Sequence, residues 1–364
     1  MKILEIIHNL SSGGAERLVV DLCNEMSKTE NVVLVLLKDL AHNNGDFYLP
    51  EVSERVRVIK LNFQDGFSIH YLWKVYRTIV AENPDVVHVH CMLNYCLLAL
   101  SLDWLRRKYI QTLHIDIEHI RKKRDYNFAF NTFGRIKRLK LVAISKTNYK
   151  EFCMQYPFCS ASYINNGRAI QQVTEQYEQV CAEIEGYRRT PNTVVALNVA
   201  RCSKQKNHKL LISSVNALRK EGYDIVALIV GSGYFDTPLG DELQSLAGDS
   251  IYFLGPKTNV VDYMKACDVF CLSSDFEGMP ITAIEAILNG KPILSTRVCG
   301  MVDVVDDGEN GLLSKDNSEL EYKKMFYRYL SVREKLEKNA RTQENNNSYT
   351  IEACSKSYLN LFQS

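Results

Sequence analysis

The chain has 364 residues, with 44 Lys and Arg against 43 Asp and Glu and a formal net charge of +1. Hydrophobic residues are 46% and charged residues 24%, a globular balance that excludes wholesale disorder, a collagen-like fibre or a disulfide-rich miniprotein. It also argues against a nucleic-acid binder working through bulk positive charge, and at about 150 residues per domain the length suggests two domains.

The chain opens on an apolar run at 2–7. Glu5 interrupts it, and Ser11-Ser12-Gly13-Gly14 closes it after one strand length. That is too short and too charged for a signal peptide. Further strand-like runs lie at 32–37, 56–61, 86–90, 109–113 and 141–144. Helix-like stretches at 15–26, 71–82 and 95–107 alternate with them. Short β-branched runs between helices read as buried parallel strands in βαβ units. The alternation pauses over 169–189, a polar stretch expected to be helical. A second series follows, with strand-like runs at 194–199, 225–230, 251–254, 269–272 and 292–295 and helix-like runs at 209–219, 260–266 and 281–288. Two such series predict two doubly wound domains, 1–168 and 169–345. A terminal amphipathic helix within 346–364 is expected to pack back on the first. No run of about 18 apolar residues predicts a membrane span.

Eleven cysteines are scattered with no CxxC pair, and several sit in apolar runs. They read as reduced, core-filling thiols of a cytoplasmic protein. Charge is uneven. Residues 1–170 hold 23 basic and 17 acidic groups, whereas the remainder holds 21 and 26. The densest basic part is Arg121, Lys122, Lys123 and Arg124, followed by Arg135, Lys137, Arg138 and Lys140. Tyr126, Phe128, Phe130 and Phe133 lie between the clusters. This segment reads either as a surface for anionic lipid or acceptor, or as a solvated helix face.

Three segments carry chemistry. Gly13 and Gly14 follow the first strand and open a helix, where backbone N–H groups suit a phosphate. An ordinary tight turn fits equally well, and the pattern is neither GxGxxG nor a P-loop. Arg201 and Lys206 follow the first strand of the second series. Two cations at the carboxyl end of a parallel strand suit a diphosphate, and a solvated basic loop is the plainer alternative. The third segment runs from Ser273 to Ala286. Glu277 falls in a loop, and Glu285 lies eight residues on, inside an apolar helix that Pro280 is expected to start. Gly278, Met279, Pro280 and Ile281 would present backbone at that helix start. A carboxylate among apolar helix residues needs a partner, such as a ribose diol, or a place at the surface.

Together these residues resemble the family 4 retaining glycosyltransferases of the GT-B fold, an α/β architecture of two Rossmann-like parallel-sheet domains facing across a donor cleft. The resemblance rests on Arg201 with Lys206, Val230-Gly231-Ser232-Gly233, Phe253-Leu254-Gly255, the Glu277-x7-Glu285 element, Gly290-Lys291-Pro292-Ile293 and Asp307-Gly308-Glu309-Asn310-Gly311. Gly13-Gly14-Ala15-Glu16 and Val87-His88-Val89-His90 match more weakly. The resemblance implies sugar transfer, with retained configuration, from a nucleotide-diphosphate sugar. UDP is the expected nucleotide. Glu285 would then hold the ribose and Arg201 and Lys206 the diphosphate. Glu277 and the 278–281 backbone would hold the sugar and distal phosphate. Gly231 and Gly255 would line the donor site, and Gly13 and Gly14 would close on the diphosphate. His114, after a central strand, matches a histidine that lines the donor sugar in this family. The family often assigns the leaving phosphate as the base, so no protein nucleophile is named.

The chain departs from the family at 297–303, where Cys299 replaces one glycine of a Gly-Gly-x-x-Glu stretch and Asp303 stands for its acid. No Asp-x-Asp pair stands beside a strand end, which predicts metal independence and no cofactor beyond the donor. The expected acceptor is a glycan or a polyprenyl-diphosphate-linked sugar, in surface polysaccharide synthesis at the inner face of the cell membrane. Nucleic acid is not an expected partner. A nucleotide-sugar 2-epimerase on the same fold and a non-catalytic nucleotide-sugar binding module are the alternatives.

Overall fold

A computed structural model describes residues 1–38, 45–66, 68–91, 93–103, 105–114, 117–122, 124–136 and 139–364. The chain forms two units. The first comprises Met1–Ala169 with Ser348–Ser364, and the second is Ile170–Asn347.

Among the described residues the first unit holds seven strands, β1 (Lys2–Ile7), β2 (Asn31–Lys38), β3 (Arg57–Phe63), β4 (Val86–His90), β5 (Lys108–Leu113), β6 (Lys140–Ala143) and β7 (Ser160–Tyr163). All pair in parallel, in the order β3-β2-β1-β4-β5-β6-β7. The central strands are buried on both faces, as expected of a sheet covered by helices on each side. The second unit holds β8 (Val194–Val199), β9 (Ile225–Val230), β10 (Ile251–Gly255), β11 (Val269–Leu272), β12 (Ile293–Ser295) and β13 (Gly311–Leu313). These are also all parallel, in the order β10-β9-β8-β11-β12-β13. Every residue of β9 is buried. Each sheet reverses direction of winding once, between β1 and β4 in the first unit and between β8 and β11 in the second. In open α/β sheets, ligands bind outside the carboxyl ends of the strands at that point.

Four local differences from the sequence reading have physical causes. β7 and β13 escape a hydrophobicity search because they are short edge strands, and β7 is half-buried throughout, with the sequence Ser-Ala-Ser-Tyr. The helix expected over 169–189 forms only at Tyr177–Tyr187. Ahead of it, Thr174 is anchored by its N–H (2.8 Å) and hydroxyl (2.5 Å) to the Asp262 carboxylate. The helix expected over 95–107 is a 3-10 turn, Leu93–Cys96, followed by the short helix Leu97–Leu102. It stops there because β5 begins at Lys108. Pro280 is the N-cap of the helix Ile281–Leu288, with extended backbone, rather than its first residue.

The helix Ile351–Gln363 belongs to the first unit, although 178 residues of the second separate it from the rest. It packs on the helix Gly14–Met26 and buries Ile351, Cys354, Tyr358 and Phe362. None of the eleven cysteines is in a disulfide. Among the described residues, no helix is long and apolar enough to cross a membrane.

Candidate active site

In the second unit the two loops flanking the switch point are tied together. The loop after β8 carries Arg201 and a 3-10 turn, Lys204–Lys206. The loop after β11 carries Ser273 to Pro280. Lys206 Nζ lies 2.6 Å from Glu277 Oε1, and Ser274 Oγ donates to the same oxygen at 2.6 Å. Ser273 Oγ donates to the Lys206 carbonyl (3.0 Å), Gln205 Nε2 to the Phe276 carbonyl (2.9 Å) and Asn207 Nδ2 to the Asp275 carboxylate (2.8 Å). Glu277 is buried, so the ammonium and hydroxyl satisfy a carboxylate that would otherwise be costly. Arg201 is different. It is exposed and has no hydrogen-bond or ion-pair partner among the described residues. A cation held at the edge of such a loop is available to an anionic ligand.

The backbone around these loops is close-packed. A Cβ on Gly231, where φ is +149°, would lie 2.0 Å from the Ala200 carbonyl oxygen. Only glycine lets the β9 loop approach the β8 loop this closely. Gly255 takes a φ of +69° beside it, and its carbonyl accepts from Gly231 N–H at 2.9 Å. Gly300, in the short helix Cys299–Val304, donates its N–H to the Glu277 carbonyl at 3.1 Å, and a Cβ there would meet the Gly278 carbonyl at 2.0 Å. The glycine retained from the departing 297–303 stretch therefore props the Glu277–Gly278 loop.

The helix Ile281–Leu288 buries six of its eight residues, and Thr282 and Glu285 are the half-buried pair. Glu285 thus stands on the one face that the core leaves open. Gly278, Met279, Pro280 and Ile281 are all buried beside it. Pro280 has no N–H, so only the other three carry an amide proton at this helix start. Behind the loops, His208 Nε2 lies 3.1 Å from Asn198 Oδ1 and 2.6 Å from the Tyr234 hydroxyl. Burial, with a smaller effect from Lys206, pushes this imidazole down to about 3, so it is neutral.

In the first unit, Gly13 is the N-cap of the helix Gly14–Met26, and a Cβ on it would collide with the Glu16 carboxylate at 2.3 Å. His114 follows β5 and is half-buried. Its Nε2 lies 2.9 Å from His90 Nδ1 on β4. His90 Nε2 is 2.8 Å from the Glu5 carboxylate on β1, which His88 Nδ1 also contacts at 2.9 Å. His88 Nε2 continues to Thr112 Oγ1 (2.8 Å), and Thr112 to the Tyr358 hydroxyl (3.0 Å). Sequence reading had His114 but not this network. The signal was present. His88 and His90 alternate with valines and so share one face of a strand, and Glu5 is the register partner of His88.

The basic segment splits. Arg121, Lys122, Arg124 and Arg135 are exposed, and Lys140 is half-buried and donates to Ser364 Oγ at 2.9 Å. Lys123, Lys137 and Arg138 lie outside the described residues. Of the interleaved aromatics only Phe128 is exposed; Tyr126, Phe130 and Phe133 belong to the core. Their spacing reflects packing rather than a lipid-facing row. Phe158 is also exposed, with the Arg135 guanidinium 4.9 Å from its ring centre.

Two Rossmann-like parallel-sheet units, with a glycine-rich loop after the first strand of one and a cationic loop after the first strand of the other, match the GT-B class of glycosyltransferase fold. Anabaena HepE in complex with UDP-glucose has this fold, with a TM-score of 0.80, 19% identity, and coverage of 100% of this chain and 99% of that one. Residues 12–171 match the family model described as Glycosyltransferase Family 4, and residues 183–347 match that described as Glycosyl transferases group 1. An uncharacterized glycosyltransferase of Haemophilus influenzae is 33% identical over 324 residues, covering 85% of this chain and 84% of that protein. The N-acetylgalactosamine-N,N'-diacetylbacillosaminyl-diphospho-undecaprenol 4-alpha-N-acetylgalactosaminyltransferase of Campylobacter jejuni is 25% identical over 352 residues, 86% of each chain. This chain belongs to the family 4, group 1 glycosyltransferases.

Proposed function

We propose that the protein is a retaining, metal-independent transferase that moves a sugar from a nucleoside-diphosphate donor, with UDP the preferred nucleotide, to a glycan or polyprenyl-diphosphate-linked acceptor in surface polysaccharide synthesis. The observation that carries the donor assignment is an exposed Arg201, without a partner among the described residues, beside the Lys206–Glu277 ion pair at the switch point of the second unit. Breaking an anomeric bond builds negative charge on the departing diphosphate and positive charge on the sugar. Arg201, Lys206 and the amides of Gly278, Met279 and Ile281 would stabilise the diphosphate. Glu277 would hold the sugar, Glu285 the ribose diol and His114 a sugar hydroxyl. Gly231 and Gly255 would let the donor approach backbone, and Gly13 and Gly14 would meet the diphosphate. UDP complexes of HepE and the diphospho-undecaprenol acceptor named for the Campylobacter enzyme support this choice of donor and acceptor.

The test is a panel of nucleotide sugars incubated with the protein, with and without EDTA, reading nucleoside diphosphate release with and without acceptor. Release from a UDP-sugar that persists in EDTA, and an anomeric proton signal of unchanged configuration in the product, are expected. Tight donor binding with no diphosphate released under any condition would instead favour a binding module. Release of a 2-epimerised sugar would favour the epimerase. A place at the inner face of the cell membrane would follow from Arg121, Lys122, Arg124 and Arg135 meeting anionic lipid. Co-flotation with anionic but not neutral vesicles is expected, and flotation unaltered by charge reversal of these four would refute it.

A further inference from the structure

We propose that Glu5 and His90 are positioning residues that fix the tautomer of His114, leaving its Nδ1 as a hydrogen-bond acceptor for a hydroxyl of the donor sugar. The proposal rests on the reading of His114 as a sugar contact. The argument begins with register. Parallel pairing sets Glu5 beside His88 and His90 beside Thr112, so one buried face of β1, β4 and β5 carries a carboxylate and two imidazoles.

Burial by itself would raise the Glu5 carboxyl. His88 and His90 reverse this and hold it at about 2, so it is ionised. An ionised carboxylate only accepts hydrogen bonds. His90 Nε2, 2.8 Å away, must therefore donate. Burial and the neighbouring His88 push His90 down to about 4, against an opposing effect of Glu5. At neutral pH it thus carries a single proton, on Nε2, and its Nδ1 is a bare acceptor. His114 Nε2, 2.9 Å from that nitrogen, must donate in turn. Burial, then His90 and His88, also push His114 well below the usual histidine range. Its remaining nitrogen, Nδ1, is bare, and nothing among the described residues pairs with it.

The chemistry has a direction. A neutral acceptor can take a sugar hydroxyl proton in a hydrogen bond without opposing the positive charge that grows on the sugar. An imidazolium there would oppose it. Glu5, His88 and His90 also have the donor types of a metal site, with ligand atoms that come together. The contacts of 2.8 and 2.9 Å to Glu5 are hydrogen-bond lengths. Two ligands each about 2.1 Å from one tetrahedral zinc would sit about 3.4 Å apart. The far nitrogens of both histidines are engaged as well, by Thr112 and His114.

The test is long-range 1H–15N spectroscopy of the full chain labelled at histidine, without donor, at pH 7.5. Signals are assigned by their loss in His90→Gln and His114→Gln. Both residues are expected to be protonated at Nε2 alone. His114 protonated at Nδ1, or at both nitrogens, would overturn the relay. So would stoichiometric binding of added zinc with loss of the His90 Nε2–H signal. Glu5→Gln keeps the shape but can donate as well as accept. It is expected to release the His114 tautomer into a mixture and to lower turnover of the nucleotide sugar about ten- to hundred-fold, the range found for the hydrogen-bond partners that orient metal-bound histidines. The donor KM should move far less, because the diphosphate contacts are on other residues. Wild-type turnover and tautomer in Glu5→Gln would overturn the proposal. The expected tautomers with no turnover of any nucleotide sugar would overturn the underlying reading. Turnover by a chain whose His114 carries its proton on Nδ1 would overturn the relay alone.

Discussion

Arg201 and Lys206 lie five residues apart, yet their removal should read differently. Arg201 is exposed and unpartnered among the described residues, so Arg201→Ala should leave the melting temperature unchanged. If it meets the diphosphate, turnover should fall about 10²- to 10³-fold. Lys206 neutralises a buried carboxylate. Lys206→Ala should therefore lower the melting temperature as well as turnover, with a stability loss of about 3 kcal/mol for a stranded buried charge. Calorimetry beside a diphosphate-release assay separates the two; equal melting temperatures for both variants would contradict the ion-pair account. The residue types at 201, 206, 277 and 285 were legible because charge beside a strand end or within an apolar helix is rare without a purpose. The Lys206–Glu277 bond was not legible, because 71 residues separate the partners and only the sheet order brings their loops together. In the Glu5–His90–His114 chain the shared strand face of His88 and His90 was legible, but the register and strand order that bring Glu5 and His114 to it were not.

At the scale of elements, the short helix Cys299–Val304 matters more than its length suggests. Its Gly300 sits against the Gly278 carbonyl with no room for a methyl group. Gly300→Ala must push either this helix or the Glu277–Gly278 loop aside, at a cost of about 2 kcal/mol. Donor affinity should weaken in parallel, because the displaced loop is the one carrying Glu277. Isothermal titration with UDP and a thermal melt would check this, and unchanged affinity with a lowered melting temperature would detach the helix from the site. Most strands were readable from β-branched runs, since parallel strands buried on both faces are apolar along most of their length. β7 was not, because a half-buried edge strand leaves a weaker signature, and β13 was not, because three buried residues beginning with a glycine are too few to show a pattern. The interleaved aromatics at 126–133 misled for a related reason. Alternation of charge and ring on a helix is the same pattern whether the rings face lipid or the core, and three of the four face the core.

Across the whole molecule, acid should destabilise both units with one sign. His90 in the first unit is held at about 4 and His208 in the second at about 3, each below an ordinary 6.5. The unfolded chain takes up these protons near pH 6.5 and the folded chain does not. The associated stability is full above about pH 6.5 and is lost as pH falls toward 4, by at most about 1.4 kcal/mol per pH unit for each ring. Glu5, at about 2 against 4.5, adds a further loss below about pH 4.5. Melting temperatures should fall by on the order of 5 °C between pH 7.5 and pH 5.5; a flat profile across that range would contradict the buried neutral rings.

The return of residues 348–364 to the first unit has a consequence in time. Domains fold as units during synthesis, but here the helix Ile351–Gln363 leaves the ribosome only after all of 170–347. The second unit can complete its sheet while the first still lacks Ile351, Cys354, Tyr358 and Phe362, four side chains worth roughly 2 kcal/mol each in burial. Until then the helix Gly14–Met26 presents an uncovered apolar face, and Thr112 has no Tyr358 hydroxyl. The half of the chain made first is thus the half finished last. A chain truncated after Asn347 and released should yield a protease-resistant fragment from the second unit and none from the first.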